Sequence, residues 1–535
     1  MSDKLSLSST RVYFPTLCKY LFSVIASICT CFATDAEMFA LVGVLELVII
    51  FSITNYIASF NLLLGNVFNV ILLLLFNIET IVLCISGEHI RLIMLENIPS
   101  FRSLSGDFFL YFVIGSLLIV FTFIPIKHIP VDNLRLLSLS LAFELIITLF
   151  VGNYFSTLFS VKLLYDEYKQ VSDLSLDIEG QPDMTAKFYH EGVMNYTDIA
   201  PENIDQYNIV LLFIEGLSQN IIDDEREIMS NAKSLESESI NFTNYFNHTA
   251  ATHRGIISQL YSGYQRQNLD KNSLISLQSI LASKGYRTAF INTEPKNHEF
   301  SRYLNALGFD EMITDSQLDG YSKSISDKHA FELLYDSMEE YGHDDSPFFI
   351  SMYTFGTHNT FDSTDEKYMD GSDRVLNKFY NLDYQLGLFL EKYQKSSFKD
   401  DTIIIFTTDH CTYNSQDFRA AFPDYHRTTT FLDTIPLCIY YNGVEHEDID
   451  VLGRNSLCLA PTILDLLNIS EPNYFLGSSL FNPEYINESI ENVYWSDEFH
   501  TSQAGVAKEI DGQRLETYSV ILSDYFIATQ QKPSQ

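Results

Sequence analysis

Basic residues are scarce in this chain. Its 535 residues include 33 Lys and Arg against 69 Asp and Glu, a formal net charge of −36. The imbalance is uneven: residues 1–159 hold 10 acidic and 7 basic side chains, which leaves 59 and 26 for the rest. A surface of that sign does not displace counterions from a phosphate backbone, so no nucleic acid is expected as a partner. It suits solubility in a salty or divalent-rich surrounding. Cysteine is also scarce. Four of the seven, Cys18, Cys29, Cys31 and Cys84, fall in apolar runs, and only Cys411, Cys438 and Cys458 lie beyond them. No CxxC or zinc-ribbon spacing occurs, and an odd, sparse set excludes a disulfide framework. Internal repeats and low-complexity tracts are missing, and the length is too great for one ordinary domain.

Long apolar runs fill the first third of the chain. Five can be marked, roughly Phe14–Ala33, Met38–Phe60, Leu62–Ile85, Phe108–Ile126 and Leu136–Phe159. Each is long enough to cross a hydrocarbon core of about 30 Å. The first leads through the short acidic turn Thr34–Glu37 straight into the second, which argues against a cleaved signal peptide. Lys4, Arg11 and Lys19, with Lys127 and Arg135 after the fourth run, favour a cytoplasmic N-terminus, although Arg91 and Arg102 run against it. Five crossings from there put the remainder of the chain outside the cell membrane. Glu46, Asn69, Asn77, Glu79 and Glu144 are polar positions inside these runs, read as bundle packing or interfacial placement more than as substrate contacts. The expected division is a five-span transmembrane domain over 1–159, a juxtamembrane linker over 160–200 and an extracytoplasmic domain over 201–535.

The last part alternates buried-strand and helix patterns. Asn208–Glu215, Thr288–Ile291, Phe348–Thr354 and Thr402–Thr408 read as strands buried on both faces. Ile435–Tyr441 contains Pro436 and reads as an edge strand or a strand start. Leu274–Lys284, Lys328–Tyr341, Val375–Tyr393 and Ala460–Leu467 read as helices, and Asn492–Gln535 as short strand-like pieces with a polar tail. The fold class predicted is an α-helical transmembrane bundle followed by an α/β domain with a mostly parallel, doubly wound central sheet.

In such sheets, sites form at the carboxyl ends of strands. Glu215 ends the first strand, Asp409-His410 end the Thr402–Thr408 strand, and His358 follows the Phe348–Thr354 strand. Thr252 opens the helix-like stretch Thr252–Gly263, where unpaired backbone N–H groups favour anions. Alone, Thr249 or Thr252 reads most simply as an N-cap. Together, Glu215, Thr252, Asp409 and His410 could hold a divalent cation, Zn or Mn by donor type. Such a cation would make the threonine hydroxyl a nucleophile at neutral pH.

These residues resemble the alkaline-phosphatase/sulfatase superfamily, and within it the membrane phosphoglycerol and phosphoethanolamine transferases, including lipoteichoic acid synthase. The likeness runs the length of the chain. Ile209–Glu215 looks like the strand ending in a metal-binding glutamate, and Thr252-His-Arg-Gly255 like the Thr-x-x-Gly at the nucleophile. Gly285–Phe290 with Gly308-Phe-Asp310 is similar to the superfamily's GY…GFD pair. Thr408-Asp-His410 resembles its metal-binding DH pair, and Phe475–Phe481 its late G-x-S-L segment. By the same resemblance His358, in Thr357-His-Asn359, contacts the phosphate, and Arg302, in Phe300-Ser-Arg302, binds the headgroup. His426, in Asp424–Arg427, could serve a second metal or the acceptor.

The resemblance implies a multi-pass protein of a bacterial inner membrane with its catalytic domain on the periplasmic side. It also implies transfer of a phospholipid headgroup, through a phospho-threonine, to an envelope glycan or glycolipid such as lipopolysaccharide. The C/S-x-P-x-R motif that matures to formylglycine in classical sulfatases is missing, which disfavours sulfate-ester hydrolysis. The three late cysteines do not support the disulfide-rich subgroup of lipid A phosphoethanolamine transferases. Two rivals are a phosphoesterase or sulfuric-ester hydrolase on the same fold, and a membrane scaffold without activity.

Overall fold

The computed structural model describes residues 7–33, 37–86, 90, 108–151, 157, 160–162, 164–165, 183–197, 204–265, 272–320, 324–344, 346–359, 361–427, 429–483, 491–494, 498–510 and 512–531. The chain divides into two compact units, Met1–Leu176 and Asp177–Gln535.

The first unit is helical: α1 (Leu7–Ala33), α2 (Glu37–Phe60), α3 (Leu62–Ser86), α4 (Phe108–Thr122) and α5 (Asn133–Val151). Three of these contain stretches long and apolar enough to cross a membrane, Tyr13–Cys31, Ala40–Phe60 and Leu62–Cys84. Among the described residues, α4 spans 15 residues, short of a full crossing by itself, so the structure gives three such helices where the sequence predicts five. Much of the end of the fifth expected span, the turn 34–36, most of the loop 86–106 and residues 166–182 of the expected linker lie outside the described residues.

Several polar side chains of these helices meet one another or backbone. Lys19 Nζ donates to Asn69 Oδ1 at 2.5 Å and to the carbonyls of Thr122 and Ile124. Asn77 Nδ2 donates to Thr122 Oγ1 at 2.8 Å, and Glu46 and Glu79 accept from the Thr157 and Ile90 amides. Such pairing is what an apolar solvent demands of buried polar groups.

The second unit is built on an eight-stranded sheet. Its strands are β1 (Asn208–Ile214), β2 (Ile240–Thr243), β3 (Arg287–Ile291), β4 (Glu311–Ile313), β5 (Phe348–Tyr353), β6 (Thr402–Thr408), β7 (Leu437–Tyr440) and β8 (Glu447–Asp450), in the order β4-β3-β5-β1-β6-β7-β2-β8. The five from β4 to β6 are parallel, and β7 runs antiparallel to β6 and β2. Pro436 immediately precedes β7, so it marks a strand start inside the sheet rather than an edge.

Strand β1 shows why its sequence is apolar throughout. Ile209, Leu211 and Phe213 enter one core with Ile256, Leu260 and Leu459. Val210, Leu212 and Ile214 enter the other with Phe331, Leu334 and Phe379. Both faces are covered, as a parallel sheet requires.

Two expectations need correction. Residues 183–197, assigned to the linker, pack onto the second unit: His190 pairs with Asn473, and the Phe188 ring meets Tyr525 edge-on at 5.2 Å. The tail is not merely polar coil. Beyond the three-stranded sheet of Glu491–Tyr494, Glu498–Thr501 and Lys508–Glu509 it forms the helix Gly512–Gln530, which buries Leu522, Tyr525 and Ala528.

Leu211 sits at the centre of this arrangement, fully buried. Leu211→Ala should therefore destabilise the second unit by roughly 2–5 kcal/mol, read as a lower Tm and a lower denaturant midpoint.

Candidate active site

β1 and β6 are neighbours paired from Asn208↔Thr402 to Ile214↔Thr408. The next residue on each strand is Glu215 and Asp409, so two carboxylates leave the sheet side by side, with His410 one position further. All three side chains are buried. One ligand atom from each lies within 4.8 Å of the others. His410 Nε2 stands 3.7 Å from Glu215 Oε1 and 3.5 Å from Asp409 Oδ2.

Backbone and second-layer contacts fix each group. Asp409 Oδ1 accepts from the Gly216 amide at 2.8 Å and from the His410 amide at 2.7 Å. His410 Nδ1 lies 2.7 Å from the Cys411 carbonyl. A carbonyl only accepts, so Nδ1 carries a proton and Nε2 is the nitrogen turned to the carboxylates. Glu215 is held by Thr354 Oγ1, which accepts from its amide at 3.2 Å, and by Thr357 Oγ1, which donates to its carbonyl at 2.5 Å. The Tyr353 hydroxyl donates to Glu215 Oε2 at 3.0 Å.

Thr252 is the first residue of the helix Thr252–Tyr261, and the N-cap is Ala251, whose side chain makes no cap. The simple N-cap reading of Thr252 therefore fails. Its Oγ1 donates instead to Glu215 Oε2 at 2.9 Å. Ala251 has φ +128°, a backbone state that costs a non-glycine residue about 1–3 kcal/mol. Gly255 explains how close the helix comes: a Cβ there would lie 2.1 Å from the Asp409 carbonyl oxygen. Gln259 Nε2 seals the contact, donating to the Thr408 and Asp409 carbonyls at 2.9 and 3.3 Å. The Thr-x-x-Gly spacing is thus a docking device that sets the hydroxyl against Glu215.

The electrostatics ask for a cation. Burial raises the Glu215 carboxyl above its ordinary value, and the Asp409 charge raises it further. Burial works against charge on His410, yet Asp409 and Glu215 outweigh it and hold its imidazole above the usual histidine range. Asp409 Oδ2 is buried without a hydrogen-bond partner. A dry carboxylate oxygen, a second carboxylate and an imidazole lone pair converging within ligand distance fit a divalent metal of the Zn or Mn kind.

The other predicted residues divide. His358 lies on the loop after β5, half-buried, its ring tilted against Phe355 and Phe361. Burial lowers its pKa, Glu215 pulls it up, and Lys378 and His410 push it down, so it shares the field of the site. Arg302 is exposed on the helix His298–Asn305 and His426 is exposed beside Arg427. Arg427 is the residue of that segment that reaches inward: it pairs with Asp433 at 2.7 Å, donates to Ser218 Oγ at 3.0 Å and donates to the Thr412 carbonyl. It ties the loop after β1 to the loop after β6.

Sequence reasoning misses Tyr353, Glu294 and Lys378. Tyr353 closes an apolar strand and reads as core. Lys378 lies in the helix Arg374–Gln394, buried, with its ammonium 3.4 Å from the His358 carbonyl and its pKa lowered to about 8 by burial. Nothing in an amphipathic pattern marks it. The GY…GFD pair proves structural, since Asp310 Oδ2 accepts from the Thr288 amide at 3.0 Å and from its hydroxyl at 2.9 Å.

Comparison with known proteins now places this arrangement. Residues 207–469 match the sulfatase family. Glu215, Thr252, Asp409 and His410 all fall within the stretch that matches the sulfatase family. No curated protein sequence matches the chain. Among solved structures, the integral membrane protein lipooligosaccharide phosphoethanolamine transferase A (EptA) from Neisseria meningitidis is 14% identical. It covers 87% of this chain and 97% of its own, with a TM-score of 0.56. The lipoteichoic acid synthase LtaP from Listeria monocytogenes is 17% identical, covering 66% of this chain and 98% of its own, with a TM-score of 0.53. A protein of the alkaline phosphatase superfamily from Vibrio parahaemolyticus is 20% identical, covering 63% and 88%, with a TM-score of 0.51. At these identities the likeness is one of fold.

The raised Glu215 pKa has a signed consequence. For the metal-free protein, its contribution to stability is present below the unfolded carboxyl value and is lost as pH rises through the folded one. A bound divalent ion prefers the ionised form and opposes that loss. The rise in Tm on adding Mn2+ or Zn2+ should therefore be larger at pH 8 than at pH 6, and Asp409→Asn should remove most of it. Thermal melts with bound metal measured by elemental analysis check both.

Proposed function

We propose that the protein transfers a phospholipid headgroup, phosphoglycerol or phosphoethanolamine, to an envelope glycan or glycolipid acceptor through a phospho-threonine at Thr252. The observation that carries this reading is the Thr252 hydroxyl, aimed at Glu215 from a helix start beside the Glu215, Asp409 and His410 set. The sulfatase match over residues 207–469 supports phosphoryl or sulfuryl chemistry, and the sequence lacks the formylglycine motif of the sulfatase branch. Apolar helices in the same chain favour a donor that stays in the bilayer.

Glu215, Asp409 and His410 would hold the divalent ion, which supplies positive charge near the nucleophile and near the phosphoryl oxygens. The residues then divide the work. The Thr252 oxygen forms a bond to phosphorus while the bond from phosphorus to the diacylglycerol oxygen breaks. The threonine proton leaves along the hydrogen bond already made to Glu215 Oε2, and diacylglycerol departs as its alcohol after gaining a proton. An acceptor hydroxyl then attacks the phospho-threonine, and Thr252 regains a proton. His358, at the rim and kept neutral by burial, orients the phosphate, with Lys378 bracing its backbone from behind. We place Arg302 on the headgroup approach and His426 on the acceptor side, each at the edge of the site. The N-terminal helices anchor the protein in a bacterial inner membrane with the catalytic domain on the periplasmic face.

Phospholipid labelled in its headgroup, given with and without a glycan acceptor, tests the reaction. Label should reach the acceptor with wild type. Thr252→Ala should transfer none while melting like wild type. Label released only to water would make the protein a hydrolase, and full activity in Thr252→Ala would remove the nucleophile.

A further inference from the structure

Lys378 carries a charge that the contacts around it leave over. It lies near the start of the helix Arg374–Gln394 and is buried. An ammonium has three hydrogens to donate. Among the described residues its Nζ meets one acceptor, the His358 carbonyl, at the long distance of 3.4 Å. That carbonyl already accepts from the Phe361 amide at 3.1 Å. The same loop is pinned twice more, by the Gly356 amide on Asp327 Oδ1 at 3.0 Å and by Thr357 Oγ1 on the Glu215 carbonyl at 2.5 Å. Holding the loop therefore does not account for a buried cation, which is costly to keep without a counter-charge.

Three carboxylates lie near enough to favour the ammonium, and each is engaged elsewhere. Glu215 is the first of them, and its oxygens serve Thr252, Tyr353 and His410. Asp417 is paired with Arg374. Asp373 caps the helix, accepting from the Val375 and Leu376 amides. Arg374 opposes the ammonium, and His358 would do so if protonated. Burial outweighs the carboxylates and lowers the lysine to about 8, so it is still a cation at neutral pH. Across the site, Glu215 and Asp409 together carry two negative charges, which a divalent ion matches with nothing left over. A phosphodiester brings one negative charge more, and the ammonium of Lys378 matches it.

We propose that Lys378 is a positioning residue for the phosphoryl group: through the His358 segment it places a fixed positive charge on the side of the site that receives the anionic ester. This rests on the reading of Thr252 as phosphoryl acceptor. The charge acts across the His358 backbone, in buried surroundings where such a field stays strong. The sign of its pH dependence follows. In the free protein the ammonium is present below about pH 8 and lost above it. A bound anion favours the charged form and moves that loss to higher pH.

The test uses the full-length protein with Mn2+ in vesicles of phosphatidylglycerol and phosphatidylethanolamine diluted into phosphatidylcholine, following the first turnover of diacylglycerol release from about pH 6.5 to about 9.5. Rates at rising donor fraction give a limiting slope, which reports the free protein, and a maximal rate, which reports the complex. The slope should fall above about pH 8 while the maximal rate holds to higher pH. Lys378→Met should raise the half-saturating donor fraction roughly tenfold and lose the alkaline fall. Lys378→Arg, which stays charged, should keep its affinity through the alkaline range. A wild-type slope that is flat across the range overturns the inference and leaves the transferase reading standing. So does a folded Lys378→Met protein with wild-type half-saturation and the same fall. No diacylglycerol from either lipid overturns both. The wild-type profile decides the matter even where the variants fail to fold.

Discussion

The pairing of β1 with β6 is the constraint on which the site depends. Two strands separated by nearly two hundred residues lie in register, so that Glu215 and Asp409 leave the sheet as the next rung of the ladder. A slip of one residue would reverse every side chain on the strand, sending Phe213 to the opposite core and Glu215 away from His410. The apolar faces therefore do more than stabilise. With Ile209, Leu211 and Phe213 committed to one core and Val210, Leu212 and Ile214 to the other, only one register buries both sets, and that register assembles the ligands.

The sheet supplies acceptors, and a helix supplies the hydroxyl. Its delivery depends on a close approach of backbone to backbone, with Gly255 against the Asp409 carbonyl and Gln259 satisfying that carbonyl and its neighbour. The cost appears one residue upstream, in the positive φ of Ala251. Strain at that point is intelligible. A relaxed turn would let Thr252 cap its own helix, as threonines at helix starts usually do. The observed turn removes Thr252 from the cap and gives its proton to Glu215. Helix dipole and a pre-aimed hydroxyl then meet at one spot, which suits an incoming phosphate.

How much of this is legible in the sequence follows from what periodicity records. Thr402–Thr408 and Asn208–Ile214 announce themselves because strands covered on both faces are apolar without alternation. Glu447–Asp450 does not, being an exposed, acidic edge of four residues, and Glu311–Ile313 is shorter still. The terminal helix Gly512–Gln530 hides because its buried positions are few and its other faces polar. Among site residues, Glu215, Thr252, Asp409 and His410 are polar residues at the ends of predicted elements, where local pattern and chemistry agree. Tyr353 and Lys378 are different. One ends an apolar strand and the other sits inside a helix, and each acquires a role only from the long-range contact that buries it. Arg302 and His426 stand out as residue types in the sequence, yet the fold leaves both at the surface, and in the second case the neighbour Arg427 turns inward instead.

A site proposed to attack an anion while carrying several buried carboxylates has to separate its charges. The chain does so by geometry. Asp409 Oδ1 is spent on the amides of Gly216 and His410, which leaves Oδ2 for the metal position. His410 is locked by the Cys411 carbonyl into the tautomer that offers its other nitrogen. Glu215 gives one oxygen to Thr252 and Tyr353 and turns the other toward His410. Burial keeps His358 neutral and leaves Lys378 as an ammonium behind its carbonyl. For the proposed transfer, the carboxylates are thus turned toward the metal position, and the neutral imidazole is left for the negative charge of the substrate.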